Sequence, residues 1–190
     1  MEIDHLLRAS SRQELREWLE EHASSAKCCW VLIRTKERPE GIPYLDAVEE
    51  ALCFGWIDGI TKKTADNRLA QRFSPRRKKS NWTELNKERV RRLEKLGLMT
   101  EQGRRVLPDM RLESFAIDEE IESTLRQDPQ VYENFLTFPE LYRRIRIDNI
   151  QGYKSYDREI FDKRLKKFIE NTRANNMYGQ WHDNGRLLDD

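Results

Sequence analysis

Residues 44–63, YLDAVEEALCFGWIDGITKK, decide the fold, because a helical pattern gives way there to a strand pattern within a few residues. The apolar residues of the first half recur at a spacing of three or four: Leu45, Val48 and Leu52. This spacing predicts a helix over 44–54 that buries one face. Gly55 follows at the position where a residue in the left-handed conformation commonly ends a helix.

The second half of this stretch predicts the first strand of a β-hairpin. Residues 56–63 and 69–74 read as strands, and the turn-forming residues of 64–67, TADN, separate them. Because side chains alternate along a strand, Trp56 and Asp58 are expected on one face, with Lys62 on that face as well. The register of the second strand cannot be read from the sequence, so Arg72 can lie on either face.

The flanking sequence predicts an α+β fold. A helix over 11–23 and a buried strand over 28–35 precede the central stretch, and another helix begins near residue 80. We therefore expect a small, mostly antiparallel sheet packed by helices in a domain over 1–107. Amphipathic patterns predict a helical C-terminal region over 108–174, followed by a loose polar tail over 175–190.

The charge distribution is uneven although the chain is nearly neutral. Its 190 residues include 35 Lys and Arg and 34 Asp and Glu, which gives a formal net charge of +1. Thirteen basic and four acidic residues lie in 62–95, so the excess positive charge is concentrated there. No apolar run approaches the ~20 residues of a membrane-spanning helix, and the N-terminus lacks the pattern of a secretory signal. We expect a cytoplasmic protein without membrane insertion.

Cysteine and histidine usage predicts no metal site and no cofactor. The three cysteines, Cys28, Cys29 and Cys53, form no C-x-x-C motif, and the three histidines stand far apart. Buried thiols in a reducing compartment explain this pattern. Cys53 is the one thiol placed where catalysis can be considered. The adjacent carboxylates Glu49 and Glu50 diverge by about 100° on a helix, so they are not expected to act as a pair.

The dense stretch 52–82 carries the candidate binding site. Planar guanidiniums grip carboxylate or phosphate, indoles form an apolar wall, and a helix start adds free N–H donors. The candidate ligand-binding residues are Trp56, Asp58, Lys62, Arg72, Ser74, Arg76, Arg77, Ser80 and Trp82. The expected partner is a small polar or anionic ligand. A charged turn packed over core tryptophans explains the same pattern without a ligand.

Two other functions remain open at this point. The basic loop 76–79 beside aromatic residues suits a nucleic-acid surface that tracks phosphates, although no known nucleic-acid module is present. An enzyme acting on a small polar substrate could use Asp58 as a base, but no catalytic motif identifies its residues. The oligomeric state is not predicted.

Several of these motifs resemble the YdeI/OmpD-associated family, whose members are also described as bacteriocin-protection proteins. The resemblance rests on Trp30, Tyr44, AVEEALCFGWIDG at 47–59, QRFSPRRKKSNW at 71–82, Asn86, ERV at 88–90 and GLMT at 97–100. It covers about the first hundred residues strongly and the C-terminal part only loosely. The resemblance implies a bacterial protein linked to stress or envelope defence and to resistance against bacteriocins or antimicrobial peptides, without a defined reaction or cofactor.

Overall fold

The computed structural model describes residues 2–77 and 80–188 and divides the chain into two units. The first unit contains residues 1–81 and 89–108, and the second contains residues 82–88 and 109–190. The boundary therefore falls within the helix that follows the hairpin.

The described residues form, in chain order, β1 (Leu6–Leu7), α1 (Arg12–His22), β2 (Cys29–Leu32), α2 (Tyr44–Cys53), β3 (Trp56–Lys63), β4 (Leu69–Pro75), α3 (Glu84–Lys95), α4 (Glu101–Arg104), α5 (Glu119–Arg126), α6 (Pro129–Thr137), α7 (Glu140–Gln151) and α8 (Arg158–Arg173). Single 3-10 turns lie at Leu112–Ser114 and Asp183–Gly185.

The first unit contains a four-stranded sheet in the order β1-β2-β4-β3. β2 and β3 both pair antiparallel with β4, and the short β1 pairs parallel with β2. The α+β class and the mostly antiparallel sheet are confirmed, while β1 is a strand that the sequence pattern does not reveal. A β-bulge follows Asp58 in β3. The buried side chain of Gln71 compensates for it, since its Nε2 donates to the carbonyl of Gly59 at 2.8 Å.

Helices α1 and α2 pack in the core of the first unit with the sheet, and Val90 and Leu93 of α3 are buried in the same unit. The Ser11 hydroxyl accepts a hydrogen bond from the Glu14 N–H and caps α1, whose Leu15 and Leu19 are buried. α2 packs against β3 and α1. Gly55 ends α2 in the left-handed conformation at a φ of 74°, as expected from its place after the helix.

The second unit has a helical core that includes the C-terminal segment. Apolar side chains from α5 to α8 are buried together, among them Tyr142 and Phe168. Trp181 joins this core at 8% exposure, and the Tyr178 N–H donates to the Tyr142 hydroxyl at 3.3 Å. The segment expected to be loose is thus packed through Trp181, because its aromatic residues bury apolar area that a polar average conceals.

Candidate functional site

The predicted site residues lie on both faces of the sheet. Residues paired across neighbouring strands share a face. Asp58 is paired with Phe73, whereas Lys62 is paired with Ala70 because the β-bulge inserts one residue into β3. Arg72 alternates with Phe73 along β4 and therefore lies on the face of Lys62. The expectation that Lys62 shares the face of Asp58 is wrong, so these two side chains do not line one face of the hairpin together.

Trp56 belongs to the core of the first unit. Its side chain has 0% exposure, and its indole N–H donates to the carbonyl of Ala23 at 3.3 Å. The ring of Trp18 lies edge-on to it at 6.0 Å. A side chain enclosed in this way cannot form the open wall of a binding pocket, so the structure corrects the role expected for Trp56.

The polar residues of the hairpin differ in whether their side chains form hydrogen bonds or ion pairs. Asp58 accepts a hydrogen bond of 2.7 Å from the Tyr44 hydroxyl. Ser74 pairs with Ile57 and shares the face of Arg72. The Arg72 guanidinium donates no hydrogen bond to a described residue and forms no ion pair with one, and its Nε is buried. The Arg72 guanidinium is thus without a polar partner among the described residues.

The loop after β4 holds a buried arginine. Nη1 of Arg76 donates to the Asn81 carbonyl at 3.1 Å and approaches the Ser80 hydroxyl at 3.5 Å. Burial lowers the pKa of Arg76 to about 10, against the opposing effect of the Asp58 charge. Arg77 is exposed.

The remaining predicted site residues lie elsewhere. Lys78 and Lys79, half of the predicted nucleic-acid loop, fall outside the described residues. Trp82 is 9% exposed and belongs to the second unit. Ligand binding by Arg72 or by the loop after β4 stays a prediction.

Burial makes two of the three thiols unreactive. Burial raises the pKa of Cys29 to about 12 and that of Cys53 to about 12, and the charge of Glu50 adds to the effect on Cys53. Since the thiolate is the nucleophilic form, Cys53 is not placed to act as a catalytic nucleophile. Cys28 is half-buried.

We expect one thiol of the folded protein to react rapidly with Ellman's reagent at mildly alkaline pH. Cys28 is accessible, whereas Cys29 and Cys53 are buried and remain protonated. The colour should correspond to one thiol in buffer and to three after unfolding in guanidinium. The Cys28→Ser variant should lose the fast phase. Two thiols reacting at the rate of Cys28 would contradict the burial of the other pair.

The adjacent carboxylates of α2 are joined by arginines. Arg12 Nη1 lies 2.6 Å from Glu49 Oε2, and its Nη2 lies 2.7 Å from Glu50 Oε1. Arg16 adds a contact of 3.1 Å to Glu50, and Arg92 adds one of 3.3 Å to Glu49. Both carboxylates are almost completely buried. This cluster holds α1 against α2, and it leaves neither carboxylate free for proton transfer.

A cavity of about 310 Å³ in the second unit gathers the cations that the sequence patterns left unassigned. We call it the basic pocket; it is lined by Arg146, Asn149, Ile150, Arg164, Lys167 and Tyr178. α7 contributes the first three of these residues. α8 contributes Arg164 and Lys167, which are three positions apart and therefore lie on one side of the helix.

Each cation of the basic pocket is held by backbone or aromatic groups. Nη1 of Arg164 donates to the Asn149 carbonyl at 2.7 Å, and its guanidinium lies 4.2 Å from the centre of the Tyr153 ring. Nη2 of Arg146 donates to the Gln180 carbonyl at 2.8 Å. Nζ of Lys167 lies 4.9 Å from the centre of the Tyr178 ring. The charges are thus oriented by the fold rather than neutralised by it.

The electrostatics of the basic pocket favour an anion. In the part of the chain that the structure describes, no carboxylate oxygen lies within 4.0 Å of a nitrogen of Arg146, Arg164 or Lys167. Nε of Arg146 is buried without a hydrogen-bond partner. Burial lowers the pKa of Arg146, and the positive charge of Arg164 lowers it further. An anion placed between these groups would offset the repulsion between the two guanidiniums and favour their charged forms.

Metal and membrane sites are not found in the described ranges 2–77 and 80–188. These residues contain no cluster of three or more His, Cys, Asp or Glu side chains arranged to hold a metal ion. None of their helices has the length and apolar content needed to cross a membrane.

Comparisons with known protein families divide the chain at nearly the same place as its structure. A family model described as "Domain of unknown function (DUF8412)" matches residues 7–106. A second, described as "Bacteriocin-protection, YdeI or OmpD-Associated", matches residues 114–175. No curated protein and no solved structure matches the chain.

The second match confirms the family resemblance but places it in the other part of the chain. The motifs within the first hundred residues match the domain of unknown function, whereas the region with the looser resemblance matches the bacteriocin-protection model. Five of the six residues that line the basic pocket fall within that second match. The chain therefore belongs to the DUF8412 domain family, and after that domain it has a segment similar to the bacteriocin-protection, YdeI or OmpD-associated family.

Proposed function

We propose that the protein binds a small, multiply charged oxyanion in the basic pocket. The observation that carries the proposal is the gathering of Arg146, Arg164 and Lys167 around one cavity, with no carboxylate oxygen of a described residue within 4.0 Å of their nitrogens. Like charges held together raise the free energy of an empty site, and a bound anion offsets that repulsion.

The donor set suits a phosphate group better than a single carboxylate. Two guanidiniums offer planar pairs of N–H donors, and the Lys167 ammonium adds a point charge. A cavity of 310 Å³ lies at the lower end of the usual ligand range of roughly 300–1,000 Å³, which favours a small ligand. The lining residues include no carboxylate, imidazole or thiol, and this composition supports binding rather than catalysis.

Arg72 supports a second candidate, which is anion binding on the hairpin as the sequence predicts. Its guanidinium has no hydrogen bond or ion pair to a described residue. Lys62 lies on the same face. One free guanidinium is a weaker argument than three converging cations, so the hairpin is the alternative location for the same ligand chemistry.

Replacing Lys167 by glutamine is expected to weaken the binding of inorganic phosphate or pyrophosphate about tenfold, because Lys167 is exposed and its contact falls at the low end of the roughly 1.5–3 kcal/mol of a charge-assisted hydrogen bond. Arg164→Gln should weaken it at least as much. Isothermal titration calorimetry at low ionic strength measures both effects. Added sodium chloride should weaken binding to the wild-type protein, because salt screens the attraction.

Lys166→Gln is the matched control for this experiment. Lys166 is the exposed neighbour of Lys167 on α8, so the variant makes the same change in net charge but does not line the pocket. Equal losses in the two variants would indicate non-specific attraction and overturn the proposal. Loss of binding in Arg72→Gln, with binding intact in Lys167→Gln, would assign the ligand to the hairpin.

The physiological role proposed here follows the description of the matched family. We extend the proposal to a cytoplasmic protein that acts in bacteriocin protection, stress or envelope defence. In this role the protein must bind its ligand in the basic pocket. Cells that carry Lys167→Gln should then survive bacteriocin less well than cells that carry Lys166→Gln. Equal survival would separate phosphate binding from protection.

A further inference from the structure

The first unit contains a larger cavity that neither the family matches nor the proposed anion site explains. It has a volume of about 570 Å³ and lies beside the C-terminal end of α1. Three segments form its walls: residues 4–7, Trp18 and His22 of α1, and residues 25–28 before β2. The volume is within the roughly 300–1,000 Å³ of small-molecule sites.

One wall of this α1 pocket is a fixed pair of aromatic rings. Trp18 and His22 are four residues apart, and their rings stack at 4.8 Å with an angle of 4°. The buried Trp56 holds the Trp18 ring edge-on. Nδ1 of His22 lies 2.9 Å from the Trp18 carbonyl, which can only accept, so Nδ1 carries the proton. The pair is therefore held in place before any ligand arrives, which lowers the entropic cost of binding.

Both acceptors and donors line the α1 pocket: Asp4 and His22 offer acceptors, whereas the exposed Lys27 ammonium can only donate. In the tautomer that this hydrogen bond selects, Nδ1 of His22 is the donor and Nε2 is the acceptor. Oδ1 of Asp4 accepts from the Trp30 indole at 3.2 Å, and the exposed carboxylate retains its second oxygen. The carbonyl end of α1 adds negative potential nearby. A ligand that contacts His22 and Asp4 must present N–H donors, and an acceptor atom on its ring would match Lys27.

We propose that the α1 pocket binds a planar nitrogen heterocycle with N–H donors, of the class represented by an amino-substituted purine. The ring would extend the aromatic stack, and its N–H groups would donate to His22 and Asp4. Rings of this class have a π-face that stacks on aromatic side chains, whereas a saturated sugar or alcohol does not. This site is independent of the basic pocket, since all of its residues belong to the first unit.

Adenosine is the probe for this proposal, with binding followed by saturation-transfer NMR and calorimetry on the full chain. The wild-type protein should bind adenosine through the purine protons. His22→Ala should weaken the affinity about tenfold, since the variant loses the aromatic ring on which the base stacks. Asp4→Asn should weaken it by a smaller factor. His22 is partly exposed, so its replacement leaves the core intact.

Two controls make the result decisive. Glu17→Ala changes an exposed residue of the same helix that does not line the pocket, and it should leave adenosine binding unchanged. Ribose should give no saturation transfer. Absence of adenosine binding to the wild-type protein would overturn the proposal, as would equal affinity in the His22→Ala variant. Phosphate binding in the basic pocket is measured separately, so either proposal can fail alone.

Discussion

Replacing Trp56 by alanine is expected to lower the free energy of unfolding by about 3–5 kcal/mol, the usual cost of truncating a large buried aromatic side chain. The indole is fully enclosed, so its removal leaves a cavity that the surrounding side chains fill only in part. It also removes the hydrogen bond to Ala23, whose carbonyl keeps a second donor in Gln102. Urea unfolding followed by circular dichroism measures the loss.

Trp56→Phe separates packing from hydrogen bonding. Phenylalanine retains much of the ring volume and lacks the N–H donor, so we expect a much smaller loss of stability than in Trp56→Ala. A Trp56→Ala variant that unfolds at the wild-type urea concentration but no longer binds phosphate would restore the role of Trp56 as a pocket wall. From the structure we expect that Trp56→Ala unfolds at a lower urea concentration than the wild-type protein and still binds phosphate.

Replacing Glu50 by glutamine should destabilise the protein by about 3 kcal/mol, because breaking a buried ion pair leaves charges without compensation. Glu50 contacts Arg12 and Arg16 and is 2% exposed. Glutamine preserves the shape of the side chain, so the loss reports the missing charge. The expected value lies at the lower end for such pairs because both arginines are partly exposed to solvent. The midpoint of urea unfolding provides the measurement.

Glu122→Gln is the matched control for the buried pair. Glu122 contacts Arg126 four residues later on α5, and both side chains are exposed. Ion pairs of this kind are screened by water and contribute little to stability, so this variant should unfold close to the wild-type midpoint. Equal effects of the two substitutions would show that the cluster on α2 has no special role in stability.

Local patterns predict the central part of the fold well. The helix expected over 44–54 is observed at Tyr44–Cys53, and the strands expected over 56–63 and 69–74 are observed at Trp56–Lys63 and Leu69–Pro75. Apolar spacing, a glycine after the helix and turn residues act within a few positions, so they can be read directly. β1 is not predicted, since its two residues become a strand only by pairing with β2.

The arrangement of the predicted site depends on features that no local pattern reports. Alternation along β3 holds up to Asp58, and the bulge then reverses the face of Lys62. Alternation also predicts correctly that Trp56 and Asp58 share a face of β3. It does not reveal that the Trp56 side chain on this face packs against Trp18 of α1. The carboxylates of α2 diverge as expected for neighbours on a helix, yet one guanidinium reaches both.

The residue order alone establishes the α+β class, the hairpin, the helical C-terminal region and the presence of many arginines. It cannot show which arginines meet. Arg146 lies on α7 and Arg164 lies on the next helix, α8, so they meet only because the two helices pack together. Tyr178 joins them because the C-terminal segment packs against the same helices through Trp181. Secondary structure follows from interactions over a few residues, whereas a pocket requires packing between distant segments. For this reason only the tertiary structure distinguishes the buried Trp56 from an open wall and places Arg146, Arg164 and Lys167 around one cavity.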